Sequence, residues 1–103
     1  MYIFNTTFNI ELNIVEQCLK EIEVNLISEL LNSGLIEKVV LTEVLNEGQS
    51  SGRTFSLQLF CMSKAHLKQF QKFNNQIIER WVQSYGDKVM FFQTPMQVIS
   101  EME

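Results

Sequence analysis

Chemistry-bearing and chain-breaking residues are scarce in this sequence: one histidine, two cysteines, one proline and four glycines among 103 residues. Each shortage excludes something. Two cysteines and one histidine cannot supply a structural zinc set from one chain, and no metal or cofactor is expected. Cys18 and Cys61 lie far apart, and a secreted disulfide scaffold usually carries more. One proline and four glycines leave no room for a long flexible linker. Positive charge is also short, with eight basic residues against twelve acidic ones and a net charge of −4. Nucleic acid and anionic membrane surfaces both need a basic field to hold their phosphates, so neither is an expected partner. Lys64, Lys68 and Lys72 form the nearest thing to a basic cluster, and their spacing suits the solvated face of a helix. No segment approaches the roughly 18 apolar residues of a membrane span. The start, MYIFNTTFNIE, alternates and lacks the basic and apolar regions of a signal peptide. A cytoplasmic, reducing setting is the expectation.

What is present is a chain of globular composition, 46% hydrophobic and 19% charged. Its length predicts one domain over residues 1–103. Residues 2 to 10, YIFNTTFNI, predict a strand, with Phe4, Thr6, Phe8 and Ile10 on one parity and Ile3, Asn5, Thr7 and Asn9 on the other. Residues 12 to 32 switch to a helical period carried by Val15, Cys18, Leu19, Ile22, Leu26 and Leu30. Asn13 suits the N-cap, with Glu16 as its back-bonding partner. Gly34 supplies the stop. Residues 35 to 46 predict a second strand whose inward parity is open, Val39-Leu41-Leu45 or Val40-Thr42-Val44. EGQSSG, residues 47 to 52, has the composition of a hairpin loop, and FSLQLFCM, residues 55 to 62, continues a third strand. Ser63 caps a second helix with a stripe of Leu67, Phe70, Phe73, Ile77, Ile78, Trp81, Val82 and Tyr85, ended by Gly86. Residues 87 to 94 predict a fourth strand, broken by Pro95. Residues 95–103 suit a short helical tail or an added edge segment.

The order β-α-β-β-α-β with right-handed crossovers gives the α+β ferredoxin-like sandwich, a four-stranded antiparallel sheet with both helices on one face. The stretch FSLQLFCM then raises a physical problem. Phe55, Leu57, Leu59 and Cys61 point to the core, while Ser56, Gln58, Phe60 and Met62 point to a face that has no helix. Ile3 and one of Phe91 and Phe92 join them there. Such a patch exceeds what monomers usually expose.

The stretches YIFNTTFNI, NSGLI (32 to 36), SLQLFCMS (56 to 63) and YGDKVMFFQT (85 to 94) span nearly the whole chain. On them the chain resembles a small bacterial family known only as a domain of unknown function, within the dimeric α/β-barrel group of ferredoxin-like proteins. The resemblance implies a homodimer in which two sheets meet through their bare faces. It implies no activity. Cys18 and Glu21 stand where the family's first helix carries aromatics, and Leu26-Ile27-Ser28 stands at its His-Ile-Pro triplet, so no role of that histidine carries over. Monooxygenases and isomerases of the wider group make a small enzyme the alternative reading.

Among candidate residues, the amides and hydroxyl of Asn5, Thr7 and Gln58 are singled out as ligand-binding, because the two strands that carry them are central in this fold. They must bond each other, water or a ligand if the face closes. No catalytic residue is assigned. His66 is read as an exposed residue of a helix's first turn, without a partner at a telling spacing. Cys18 and Cys61 are read as core. GQSSGR lacks the Lys-Ser/Thr and the helix of a phosphate loop. RTFSLQLF resembles an RNA-recognition octamer, but its Phe55 and Leu57 are assigned to the core. The leading function is a homodimeric domain binding a small molecule on its sheet face.

Overall fold

The computed structural model describes residues 1–45 and 51–103. Most of the hairpin loop expected at 47–52, and half of GQSSGR, lie outside the described residues. Strand β1 (Tyr2–Glu11) leads through a 3-10 turn (Leu12–Ile14) into α1 (Val15–Glu21), a π-helical turn (Ile22–Leu26) and α2 (Ile27–Leu31). β2 (Lys38–Val44) and β3 (Gly52–Cys61) follow, then α3 (Lys64–Phe73), α4 (Gln76–Gln83), a 3-10 turn (Gly86–Lys88) and β4 (Val89–Gln97). The strands form one antiparallel sheet in the order β2-β3-β1-β4, with β1 and β3 central. This is the ferredoxin-like arrangement, with the helices on one face.

The period-2 pattern sets the core. Phe4, Phe8 and Ile10 of β1 and Phe55, Leu57, Leu59 and Cys61 of β3 are buried against Cys18, Ile22, Leu26, Leu30, Leu67, Phe70, Ile78 and Val82. The open question of β2 is resolved by register. Val39 and Leu41 sit opposite Leu59 and Leu57 and pack on the core, so Val40, Thr42 and Val44 face the other way. Leu45 is exposed beyond the strand's end.

The first helix departs from the expected regular one. Cys18, Ile22, Leu26 and Leu30 repeat at strict four-residue steps and are all buried. Four residues overshoot one α-helical turn by about 40°, so three such steps would carry the stripe about 120° off the sheet. The π turn at Ile22–Leu26 uses more residues per turn and removes part of that drift. Asn13 lies inside the 3-10 turn, and among the described residues no side chain caps that turn or α1. Gly34 does close α2: its φ is +75°, and its N–H donates to the Leu31 carbonyl at 3.2 Å.

The second helix is split. Ser63 caps α3 as expected, its hydroxyl accepting from the His66 N–H at 3.1 Å. The N–H groups of Asn74 and Asn75 then both donate to the Phe70 carbonyl, and α4 starts anew. The break turns Phe73 outward, 58% exposed, where the sequence stripe places it in the core. Asn75 is held across the break by β4. Its side-chain amide exchanges two 2.8 Å hydrogen bonds with Gln93, which also donates to Thr6 at 3.1 Å. Thr6 has no exposed surface, so this bond satisfies a hydroxyl enclosed in the core. Gln93→Ala removes it and is expected to lower stability by about 1–3 kcal/mol, read from urea unfolding.

β4 runs through Pro95 to Gln97, where the sequence suggests a break at the proline. It is an edge strand, which tolerates a missing N–H directed away from its neighbour. Residues 98–103 form neither a helix nor an added strand, although the Val98 N–H donates to the Met1 carbonyl at 3.0 Å.

Candidate functional site

The registers build one continuous bare face. β1 contributes Ile3, Asn5, Thr7 and Asn9, and β3 contributes Thr54, Ser56, Gln58 and Phe60 opposite them. β2 adds Lys38, Val40, Thr42 and Val44. β4 adds Met90, Phe92, Thr94 and Met96, so Phe92 is the aromatic of the pair that lies here, while Phe91 stands opposite Phe8. Met62 is exposed just past the end of β3. Among the described strand residues of this face only Lys38 and Glu11 are charged, and the registers place them at opposite ends. The Lys38 ammonium lies 4.6 Å from the centre of the Phe60 ring. Phe92 is 63% and Met90 68% exposed, which is unusual for large apolar side chains on a sheet.

The middle of the face is polar and partly self-satisfied. The Asn5 side-chain amide donates to the Thr7 hydroxyl at 3.0 Å and accepts from the Ser56 hydroxyl at 2.5 Å. Asn9 donates to Thr54 at 3.2 Å. Gln58 sits opposite Asn5 across the β1–β3 ladder, yet its side chain makes no hydrogen bond to the described residues. The structure therefore brings Asn5, Thr7 and Gln58 onto one face and joins the first two. Ser56 completes their network; its place on the same parity of β3 is the sequence signal that points to it.

At the far end of the face lies a cleft of about 650 Å³ spanning all four strands. Thr7, Asn9 and Thr54 line its floor beside Val44, Met90 and Phe92, with Phe91 at the β4 side. Asn5 and Gln58 lie outside this lining. The lining is apolar apart from hydroxyls and one amide, and its size falls in the range of small-molecule sites.

The remaining candidates lie elsewhere. Cys18 and Cys61 are fully buried and unbridged, and burial pushes both thiols up, so neither is a poised nucleophile. His66 is half-buried in the first turn of α3 rather than exposed, and it does not line the cleft. Phe55 and Leu57 are core residues, unavailable for stacking on bases. Arg53 belongs to β3 and forms a bidentate pair with Glu43, both bonds 2.8 Å. Lys64, Lys68 and Lys72 are all exposed. Between the helices, the Tyr85 hydroxyl donates to Glu21, and its ring packs edge-on against Trp81 at 5.2 Å.

Burial, followed by the bond to Glu21, pushes the Tyr85 phenol well above its usual range. A raised folded-state value means that the neutral phenol's stabilisation is complete below its ordinary pKa of about 10 and is lost as pH rises beyond it. The wild type is therefore expected to lose stability above about pH 10 more steeply than Tyr85→Phe, measured by urea midpoints on either side of that pH.

Helices on one side of a β2-β3-β1-β4 antiparallel sheet, with a bare and nearly uncharged face on the other, define a ferredoxin-like α+β protein. Solved structures share this fold. A dimeric ferredoxin-like protein from an uncultured marine organism superposes with a TM-score of 0.68 at 17% identity, over 100% of this chain and 99% of that one. HapK from Hahella chejuensis does so with a TM-score of 0.67 at 6% identity, over 100% and 98%. A candidate antibiotic biosynthesis monooxygenase from Bacillus cereus gives 0.67 at 9% identity, over 99% and 96%. At such identities the likeness is one of fold alone. No curated protein matches the chain. The chain belongs to the family described as Domain of unknown function (DUF4286), whose model matches residues 1–99. No helix among the described residues is long and apolar enough to cross a membrane.

Proposed function

We propose that residues 1–103 form one domain that pairs with a second copy through the bare sheet face and holds a small molecule between the two sheets. The observation that carries this reading is the exposure of Met90 and Phe92 on a face that continues through Ile3, Val40, Val44 and Phe60. Covering a large apolar side chain is worth roughly 1.5–3 kcal/mol. Each copy brings several, against an association cost of about 4–15 kcal/mol. The neutrality of the face suits a second copy better than a phosphate backbone, which demands positive charge. The marine neighbour of the same fold is described as dimeric, which supports pairing as such. A two-fold pair also leaves Asn5, Ser56 and Gln58 enclosed, where Gln58 must find a partner across the interface, in water or on a ligand.

Binding is favoured over catalysis by the lining itself. Hydroxyls and amides bind but transfer protons poorly near neutral pH, and no carboxylate, imidazole or guanidinium lines the cleft among the described residues. The monooxygenase likeness of the Bacillus cereus neighbour keeps the enzyme as the second reading. A cytosolic location agrees with two free, buried cysteines. Sedimentation velocity at micromolar concentration tests the pairing: a mass twice that of the chain is expected, and a single-chain mass would overturn the proposal.

A further inference from the structure

The chemistry of the cleft narrows what it can hold. Besides Phe91 at the β4 side, it is lined by Thr7, Asn9 and Thr54 on the floor and Val44, Met90 and Phe92 beside them. No side chain in this set is ionisable. A carboxylate, phosphate or ammonium seated here would lose its hydration without meeting an opposite charge, a cost that ordinarily keeps ions out. Phe92 and Met90 present flat and polarisable surfaces, exposed by 63% and 68%, and both favour ring systems over flexible chains.

The polar groups are not equivalent. The Asn9 amide is committed to Thr54 at 3.2 Å, and its carbonyl oxygen lies close to the backbone of Gly52, within 2.8 Å of where a Cβ would stand. Thr7 differs. Its oxygen accepts from Asn5 at 3.0 Å, so its own proton is directed elsewhere, and no acceptor for that proton is found among the described residues. A hydroxyl carries one donor and two acceptor sites, so the Asn5–Thr7 bond orients the Thr7 O–H as a donor at the cleft floor.

We propose that the cleft takes an uncharged, flat aromatic molecule whose carbonyl or ether oxygen accepts a hydrogen bond from the Thr7 hydroxyl while its rings lie against Phe92 and Met90. This rests on the ligand-binding reading above and adds the chemical class. The contacts named come from one copy, the exclusion of ions is complete once a second sheet closes the face, and sedimentation of the same samples keeps the two readings distinguishable.

The test uses 2-acetonaphthone as probe, with three comparators: 2-naphthoate, of the same shape but charged; 2-ethylnaphthalene, without an acceptor; and 2-decanone, an acceptor without rings. Binding is followed by NMR shifts of the Met90 methyl and the Thr7 and Phe92 amides in the full chain. 2-Acetonaphthone is expected to bind about tenfold or more tightly than each comparator. Thr7→Val is expected to weaken 2-acetonaphthone about three- to tenfold and leave 2-ethylnaphthalene unchanged, and Thr7→Ser restores the wild-type preference. Equal binding of 2-naphthoate, indifference of 2-acetonaphthone to Thr7→Val, or shifts confined to the helical side would each overturn the proposal. The same samples are sedimented. A paired protein that ignores every probe refutes this inference and spares the pairing, whereas an unpaired protein with the expected preference refutes the pairing and spares this inference.

Discussion

The double variant Val40→Asp/Phe92→Asp is expected to sediment as a single chain at concentrations where the wild type sediments as a pair. Val40 lies on β2 and Phe92 on β4, so the two substitutions bracket the bare face from its two edges. A two-fold pair would have to enclose four new carboxylates. Taking each out of water costs several kcal/mol unless it meets a cation, and among the strand residues of this face only Lys38 offers one. The expected weakening of association is at least a thousandfold, about 4 kcal/mol. Neither side chain belongs to the core, so the variant keeps the near-ultraviolet circular dichroism of the wild type. An unchanged sedimenting mass would show that the bare face is not where copies meet.

Phe8→Ala has the largest effect expected on the isolated fold, a loss of about 3–5 kcal/mol. Phe8 is fully buried on a central strand, and its ring meets Trp81 edge-on at 5.4 Å. Trp81 in turn meets Tyr85, so the three rings tie β1 to α4 and to the turn that follows it. The indole N–H of Trp81 is enclosed and has no hydrogen-bond partner among the described residues. A cavity beside it has room for water, so the variant's emission is expected to move to the red while still folded. Trp81 is the sole tryptophan, which makes urea unfolding by fluorescence a direct readout. A midpoint shift worth under about 1 kcal/mol would mean that the rings contribute little to anchoring α4.

The parts of this fold that sequence reveals are those set by neighbours in the chain. Alternation in YIFNTTFNI and FSLQLFC fixes which side of β1 and β3 is buried, because a strand's side chains alternate whatever surrounds them. Ser63 and Gly34 mark helix ends for equally local reasons. The parity of β2 is not local: Val39 and Val40 are equally apolar, and only the pairing with β3 separates them. The Asn75–Gln93–Thr6 clasp joins residues from a helix break and two strands and leaves no trace in any window of sequence. The π turn did leave one, in the unbroken four-residue spacing of Cys18, Ile22, Leu26 and Leu30, which a regular helix cannot keep on one face. For the candidate site, the residues of the bare face were legible and the cleft was not. Its position depends on which residues of β2 and β4 the ladders set beside Thr7, Asn9 and Thr54, and those registers are not local to any one stretch of sequence.

That proline has a consequence for how copies can meet. Successive N–H groups of an antiparallel strand alternate between its neighbour and the outside. The one that Pro95 lacks belongs to the outward row of β4, so the rim of the sheet has a missing tooth. Another molecule laying its own rim alongside would find no donor there, and lateral stacking into a ribbon without end is discouraged. Joining face to face, by contrast, stops at two, so in the pair proposed above a single ring closed on its own backbone nitrogen would help keep the assembly finite.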